Sequence, residues 1–171
     1  EPATLVASSS ATSILCNGGS ATVTVSATGG TVPYTGDGSF TALAGTHTYT
    51  VTDANGCTAS TTITITEPTA VVASSSATSI LCNGGSATVT VSATGGTAPY
   101  TGEGSFTVSA GAYSYTVTDA NGCTSTTTGT VTEPAALVAS STAGAILCNG
   151  GTTTAVVSAT GGTAPYTGEG S

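Results

Sequence analysis

The chain has 171 residues, no Lys or Arg, eight Asp and Glu and one His, giving a formal net charge of −8 at pH 7. With no cation to neutralise phosphate, binding to nucleic acid and to anionic membrane surfaces is excluded, and a single His without any Lys leaves little for acid–base chemistry. Forty Thr and 22 Ser alongside 24 Gly favour strands and turns over helices.

In chain order, Leu5-Val6 and Ile14-Leu15 are short strand candidates, followed by a turn at Asn17-Gly18-Gly19. Ala21–Val25 alternates valines with threonines, the period of a half-buried strand. Gly29-Gly30 and Gly36-Asp37-Gly38 mark turns on either side of a weaker Pro33-Tyr34 candidate. Thr46–Thr52 alternates again, with His47, Tyr49 and Val51 inward and Thr46, Thr48, Thr50 and Thr52 outward. Asn55-Gly56 then signals a hairpin, because both residues accept positive φ, and Thr62–Thr66 closes the unit. About seven short strands at this spacing predict an all-β protein built of small Ig-like antiparallel β-sandwich domains. No stretch has a helical period, and no apolar run approaches the 18 or so residues of a membrane-spanning helix. Glu1 is not followed by a basic n-region, so the start is not expected to be a signal peptide.

The unit recurs. Glu1-Pro2 returns as Glu67-Pro68 and Glu133-Pro134, and residues 1–66 and 67–132 differ at 14 positions, leaving 52 of 66 identical. Three domains are therefore expected, at 1–66, 67–132 and, in part, 133–171, arranged end to end. The third lacks counterparts of Thr41 through Thr66. Since that would leave a core open, the chain reads as an excerpt of a longer array. The short Thr66-Glu67-Pro68 junction predicts closely coupled neighbours.

A 66-residue domain has little core of its own, so the cysteines are expected to staple it. Pairing Cys16 with Cys57 and Cys82 with Cys123 closes loops of about 40 residues, each worth roughly 4 kcal/mol, and leaves Cys148 unpaired. Spacing also permits Cys57 with Cys82 and Cys123 with Cys148, which would chain the domains covalently. The self-contained pairing is preferred because each domain then stabilises itself. With no Cys-x-x-Cys pair, zinc is not expected. Structural disulfides predict an extracellular or cell-surface location.

Asp53, Asn55, Asp119 and Asn121 form an acidic turn that faintly echoes a calcium loop, but an Asp ahead of Asn-Gly is common turn chemistry. No other metal or cofactor is expected. The outward hydroxyls suit a solvated strand face, and in an extracellular repeat they are candidates for O-glycosylation: Thr22, Thr24, Thr48, Thr50, Thr62, Thr64, Thr88, Thr90, Thr116 and Thr128. His47 is replaced by Tyr113 in the second copy and so reads as packing. The three Pro-Tyr tyrosines, Tyr34, Tyr100 and Tyr166, read as turn or core packing before sugar-stacking platforms.

The run Cys16-Asn17-Gly18-Gly19-Ser20-Ala21-Thr22-Val23-Thr24-Val25, then Gly29-Gly30-Thr31-Val32-Pro33-Tyr34, Tyr49-Thr50-Val51-Thr52-Asp53-Ala54-Asn55-Gly56-Cys57 and Thr66-Glu67-Pro68, resembles the SprB repeat of large Bacteroidota adhesins and gliding-motility proteins. The resemblance implies a secreted, surface-displayed module in tandem arrays, exported by the type IX route, and no enzyme. The aromatic residue usual after the Pro-Tyr segment in that family is missing. The expectation is thus an extracellular structural protein that self-associates into a fibre, filament or stalk carrying covalent glycans. The alternative is an adhesin binding surface polysaccharide.

Overall fold

The computed structural model describes residues 3–170. The chain is all-β, with twelve strands and no helix among the described residues. The first repeat contributes β1 (Val6–Ala11), β2 (Ala21–Thr28), β3 (Gly38–Ala42), β4 (Gly45–Thr52) and β5 (Thr58–Ile65). The second contributes β6 (Val72–Ala77), β7 (Ala87–Thr94), β8 (Gly104–Val108), β9 (Gly111–Thr118) and β10 (Thr124–Val131), and the third β11 (Val138–Ala143) and β12 (Ala155–Thr160). Each complete repeat therefore has five strands, in a three-stranded sheet (β1-β2-β3, or β6-β7-β8) and a two-stranded sheet (β4-β5, or β9-β10).

Ile14-Leu15 and Pro33-Tyr34 are not strands. Ile14 is a buried plug in the β1–β2 loop. The Pro33 segment, entered through a cis Val32–Pro33 peptide, forms a turn that rejoins the sheet only at a Thr35–Thr52 bridge. Tyr34 is half-buried and its hydroxyl donates to Gly29 O at 2.5 Å, tying that turn to the Gly29-Gly30 turn before it.

Two compact units can be distinguished. One takes the residues through Val72 with Ala93–Thr101 and Val117–Ser125; the other takes Ala73–Ser92, Gly102–Thr116 and Thr126 onward. In the first unit, alternation places Ala21, Val23 and Val25 of β2 inward, where they meet Val51 and Ile65 of the other sheet together with Ile14 and Ala42. Phe40 and Tyr49 bridge the two sheets with ring centroids 5.0 Å apart. Antiparallel register pairs Ala11 with Val23, Ala21 with Ala42 and Gly45 with Ile65, while Thr52 meets Thr58. Ala11, Ala21, Ala42 and Ile65 therefore share one end of the sandwich. Thr28, Thr52 and Thr58 share the other.

On the outer face of the two-stranded sheet, Thr46–Thr64, Thr48–Thr62 and Thr50–Ser60 form cross-strand hydroxyl hydrogen bonds of 3.1, 3.0 and 2.9 Å. Thr116–Thr126 repeats the last of these at 2.9 Å. Each such pair contributes a few tenths of a kcal/mol, up to about 1. The hydroxyl-rich sequence thus stabilises strand pairing directly.

The inner face carries a coupled exchange. His47 lies opposite Ile63 in the β4–β5 register and its Nε2 contacts Leu43 O at 2.9 Å. Tyr113 and Gly129 hold the matching positions, and a Cβ on Gly129 would lie 2.4 Å from the Tyr113 hydroxyl oxygen. The ring fills the space an isoleucine takes in the other copy, and the Tyr113 hydroxyl meets Ser75 Oγ at 3.2 Å. Gly129→Ile alone is therefore expected to cost about 1–3 kcal/mol by overpacking, and Tyr113→His added to it should recover most of that loss. Urea denaturation of the two single variants and the double variant measures the coupling.

In the third repeat β11 and β12 pair as their counterparts do. Val157 is 38% exposed where Val25 is 2%, and Ile146 is 57% exposed where Ile14 is 5%. No strands equivalent to β4 and β5 face them among the described residues.

Candidate functional site: the cysteine loops at the two ends of a repeat

The β4–β5 hairpin, at the end where Thr52 meets Thr58, is organised by Asp53. Its Oδ1 accepts hydrogen bonds from Asn55 N and Cys57 N, both at 2.9 Å, and its Oδ2 accepts one from Thr31 N at 3.0 Å. Asn55 Nδ2 donates to Thr31 Oγ1 at 2.9 Å, joining the hairpin to the neighbouring Gly29–Thr31 turn. Gly30, at φ +59°, must stay without a side chain because a Cβ there would meet Asp53 Oδ2 at 2.7 Å. Asp119 builds the same hairpin in the second repeat, accepting from Asn121, Cys123 and Thr97 at 2.9, 2.8 and 2.9 Å.

Both carboxylates are buried, and among the described residues no buried side-chain polar atom lacks a partner. For Asp53 the Thr31 amide, then that of Cys57, pulls the pKa below the ordinary carboxylate value, against the opposing effect of burial. For Asp119 burial pushes upward most strongly, yet the amides of Thr97, Cys123, Asn121 and Gly122 together outweigh it and leave the pKa lowered. A depressed folded-state pKa contributes stability above the unfolded value, near 3.9, that is lost as pH falls through the folded one. The chain should accordingly loosen below about pH 4, and Asp53→Asn with Asp119→Asn should flatten that acid limb in a circular-dichroism titration.

The calcium candidates Asp53, Asn55, Asp119 and Asn121 therefore serve their own turns. Amide hydrogens, not lone pairs, converge on these carboxylates, the reverse of a cation cage. Among the described residues no three His, Cys, Asp or Glu side chains gather as a metal group. Excess EDTA is expected to leave the melting temperature unchanged.

The second loop lies between β1 and β2 at the opposite end, anchored by buried Ile14 and closed by a Gly19 N–H bond to Cys16 O at 3.0 Å. Its Asn17 Nδ2 donates to Pro68 O at 3.1 Å and its Gly18 N to Glu67 Oε2 at 2.5 Å. Asn83 with Pro134 and Gly84 with Glu133 repeat both bonds one period later, at 3.1 and 2.6 Å. The Glu-Pro pairs that open the second and third repeats are thus gripped by the Cys-Asn-Gly-Gly loop of the repeat before. In the sequence these residues read as the junctions of closely coupled repeats, without their partners; the 49- and 51-residue offsets hold in both copies and are the signal that pairs them.

This geometry overturns the expected disulfides. Cys16 sits at the end where Ile65 leads into Glu67, and Cys57 at the other, separated along the eight-residue β5 by roughly 25 Å. A disulfide needs Cα atoms within about 7 Å, so Cys16 does not bond Cys57 and Cys82 does not bond Cys123. Cys16 bonds Cys123, with Cα atoms 5.6 Å apart and 107 residues between them in sequence. Asn121 Nδ2, beside that bond, donates to Leu15 O at 3.2 Å. Cys57, Cys82 and Cys148 are exposed thiols, so the alternative phase, Cys57 with Cys82 and Cys123 with Cys148, is absent as well.

All ten threonine candidates, Thr22, Thr24, Thr48, Thr50, Thr62, Thr64, Thr88, Thr90, Thr116 and Thr128, are exposed. Among the described residues no helix is long and apolar enough to cross a membrane.

With five strands in two antiparallel sheets around a valine-rich core, the first repeat can be set beside known families, and a family model described as a bacterial Ig domain matches residues 2–66. The first repeat has the fold of a small Ig-like β-sandwich. The second, identical to it at 52 of 66 positions, repeats the same strands and sheet order. The match is to bacterial Ig domains in general and does not single out the SprB repeat. No curated protein matches the chain.

Proposed function

We propose that the chain is part of an extracellular structural array of SprB-like Ig domains, a fibre or stalk on or outside a bacterial cell, whose role is to span distance and bear load. The observation that carries this reading is the Cys16–Cys123 bond, because a covalent link from one repeat to the next is what a load-bearing strand of domains requires. The repeated grip of Asn17 on Pro68 and Asn83 on Pro134 supports it. O-glycans on the exposed threonines would keep a surface without basic residues hydrated. On this reading the protein is no enzyme.

Negative-stain images of native material test the reading. Filaments with an axial repeat of roughly 35–45 Å, the length of one small sandwich, are expected. Separate particles that bind polysaccharide on a glycan array would favour the adhesin instead.

A further inference from the structure

We infer that Asn17 and Asn83 are modification sites, converted to aspartate or isoaspartate by deamidation when the junction beside them opens, and that the closed junction is what keeps them amides. The inference holds whether the array serves as a fibre or as an adhesin.

All five asparagines of the chain precede a glycine, and there is no glutamine. In an Asn-Gly pair the glycine nitrogen loses its proton to hydroxide and attacks the asparagine Cγ. The new N–Cγ bond expels Nδ2 as ammonia, which takes a proton back from water. Water then opens the succinimide to aspartate or, with one more carbon in the main chain, to isoaspartate. Nothing steric restrains this reaction at Asn17 or Asn83. Both are exposed, and Gly18 and Gly84, at φ +74° and +77°, have no atom beyond their chain neighbours within 4 Å of where a Cβ would stand.

Two hydrogen bonds do restrain it. The attacking nitrogen of Gly18 gives its hydrogen to Glu67 Oε2 at 2.5 Å, and the leaving Nδ2 of Asn17 is held on Pro68 O at 3.1 Å. A charged acceptor strengthens the hold on that hydrogen, and its negative charge disfavours the amide anion. A side chain pinned by its amide does not swing Cγ into attack geometry on the next nitrogen. Gly84 with Glu133 and Asn83 with Pro134 repeat both restraints at 2.6 and 3.1 Å. The hairpin pairs differ, because the Gly56 and Gly122 amides bond Asp53 O and Asp119 O within their own turns.

Modification runs one way. A carboxylate at position 17 lacks the donor that Pro68 O accepts and sets a second negative charge beside Glu67. Isoaspartate adds a carbon inside the turn that Gly19 N closes on Cys16 O. Neither product restores the closed junction.

The test incubates the 171-residue chain, with its Cys16–Cys123 bond intact, at mildly alkaline pH and follows each Asn-Gly peptide by mass spectrometry. In Glu67→Ala, deamidation at Asn17 should rise about tenfold while Asn83 keeps its parental rate. Glu133→Ala should exchange the two, so each site is the control for the other, and loss of the fold would speed both together. No change at Asn17 would overturn the inference. So would a slower rate there, which would make Glu67 the base of the reaction, or equal acceleration of Asn17 and Asn83 in both variants. Asn17→Asp, one of the two products, should speed hydrogen exchange of the Gly18 amide about tenfold; unchanged protection would overturn the one-way character.

Discussion

Cys16→Ser should lower stability by about 4–5 kcal/mol, the effect of releasing a cross-link that closes a loop of 107 residues. Cys123→Ser should match it, and the two together should cost no more than either alone, because both remove the same bond. Cys57→Ser and Cys82→Ser should stay within about 0.5 kcal/mol, since both thiols are exposed and unbonded. Urea denaturation without reductant separates these cases, and adding a thiol reductant to the parent chain should reproduce Cys16→Ser. Domains each stapled by their own bridge would show the opposite pattern, with Cys57→Ser as damaging as Cys16→Ser.

The second large effect belongs to Gly29. Its φ of +75° disfavours any L side chain, and a Cβ would lie 2.0 Å from Thr4 O, a backbone atom that cannot swing aside. A Cβ added at Gly95 or Gly161 would likewise lie 2.0 Å from Ala70 O or Ala136 O. Adding the left-handed conformational cost of 1–2 kcal/mol to the strain of an overpacked contact, Gly29→Ala should destabilise by about 3 kcal/mol. Gly56, whose added Cβ would meet nothing within 4 Å at φ +84°, should lose only the conformational part on substitution by Ala. Thermal melts of the two variants distinguish crowding from backbone strain. The result also bears on function, because the Gly29-Gly30 turn is clamped to the start of its repeat, with Gly30 N donating to Ala3 O at 2.7 Å.

Much of the fold is legible in the residues. Strand alternation at Ala21–Val25 and Thr46–Thr52 reports the buried faces, and Asn55-Gly56 marks a true hairpin. Ile14-Leu15 and Pro33-Tyr34 mislead because two adjacent apolar residues have no period: Ile14 plugs a sandwich end and Tyr34 packs beneath a turn. The cysteines mislead for another reason. Sequence separation measures the loop a bridge closes, whereas bonding depends on which end of the sandwich each loop occupies. Cys16 follows β1 and Cys57 follows β4; with antiparallel strands, one loop after an odd strand and one after an even strand fall at opposite ends. Counting strand parity places each repeat's cysteines too far apart to meet. Sequence alone does not indicate that the next repeat's hairpin comes to the Cys16 loop, since that depends on how Glu67 and Pro68 are held by Gly18 and Asn17.

Proteolysis of the monomeric chain under non-reducing conditions, followed by mass spectrometry, examines the central point most directly. Linkage of one repeat to the next predicts a peptide pair joining Cys16 to Cys123, with Cys57 alkylated as a thiol. Recovery of Cys16 joined to Cys57 would contradict it.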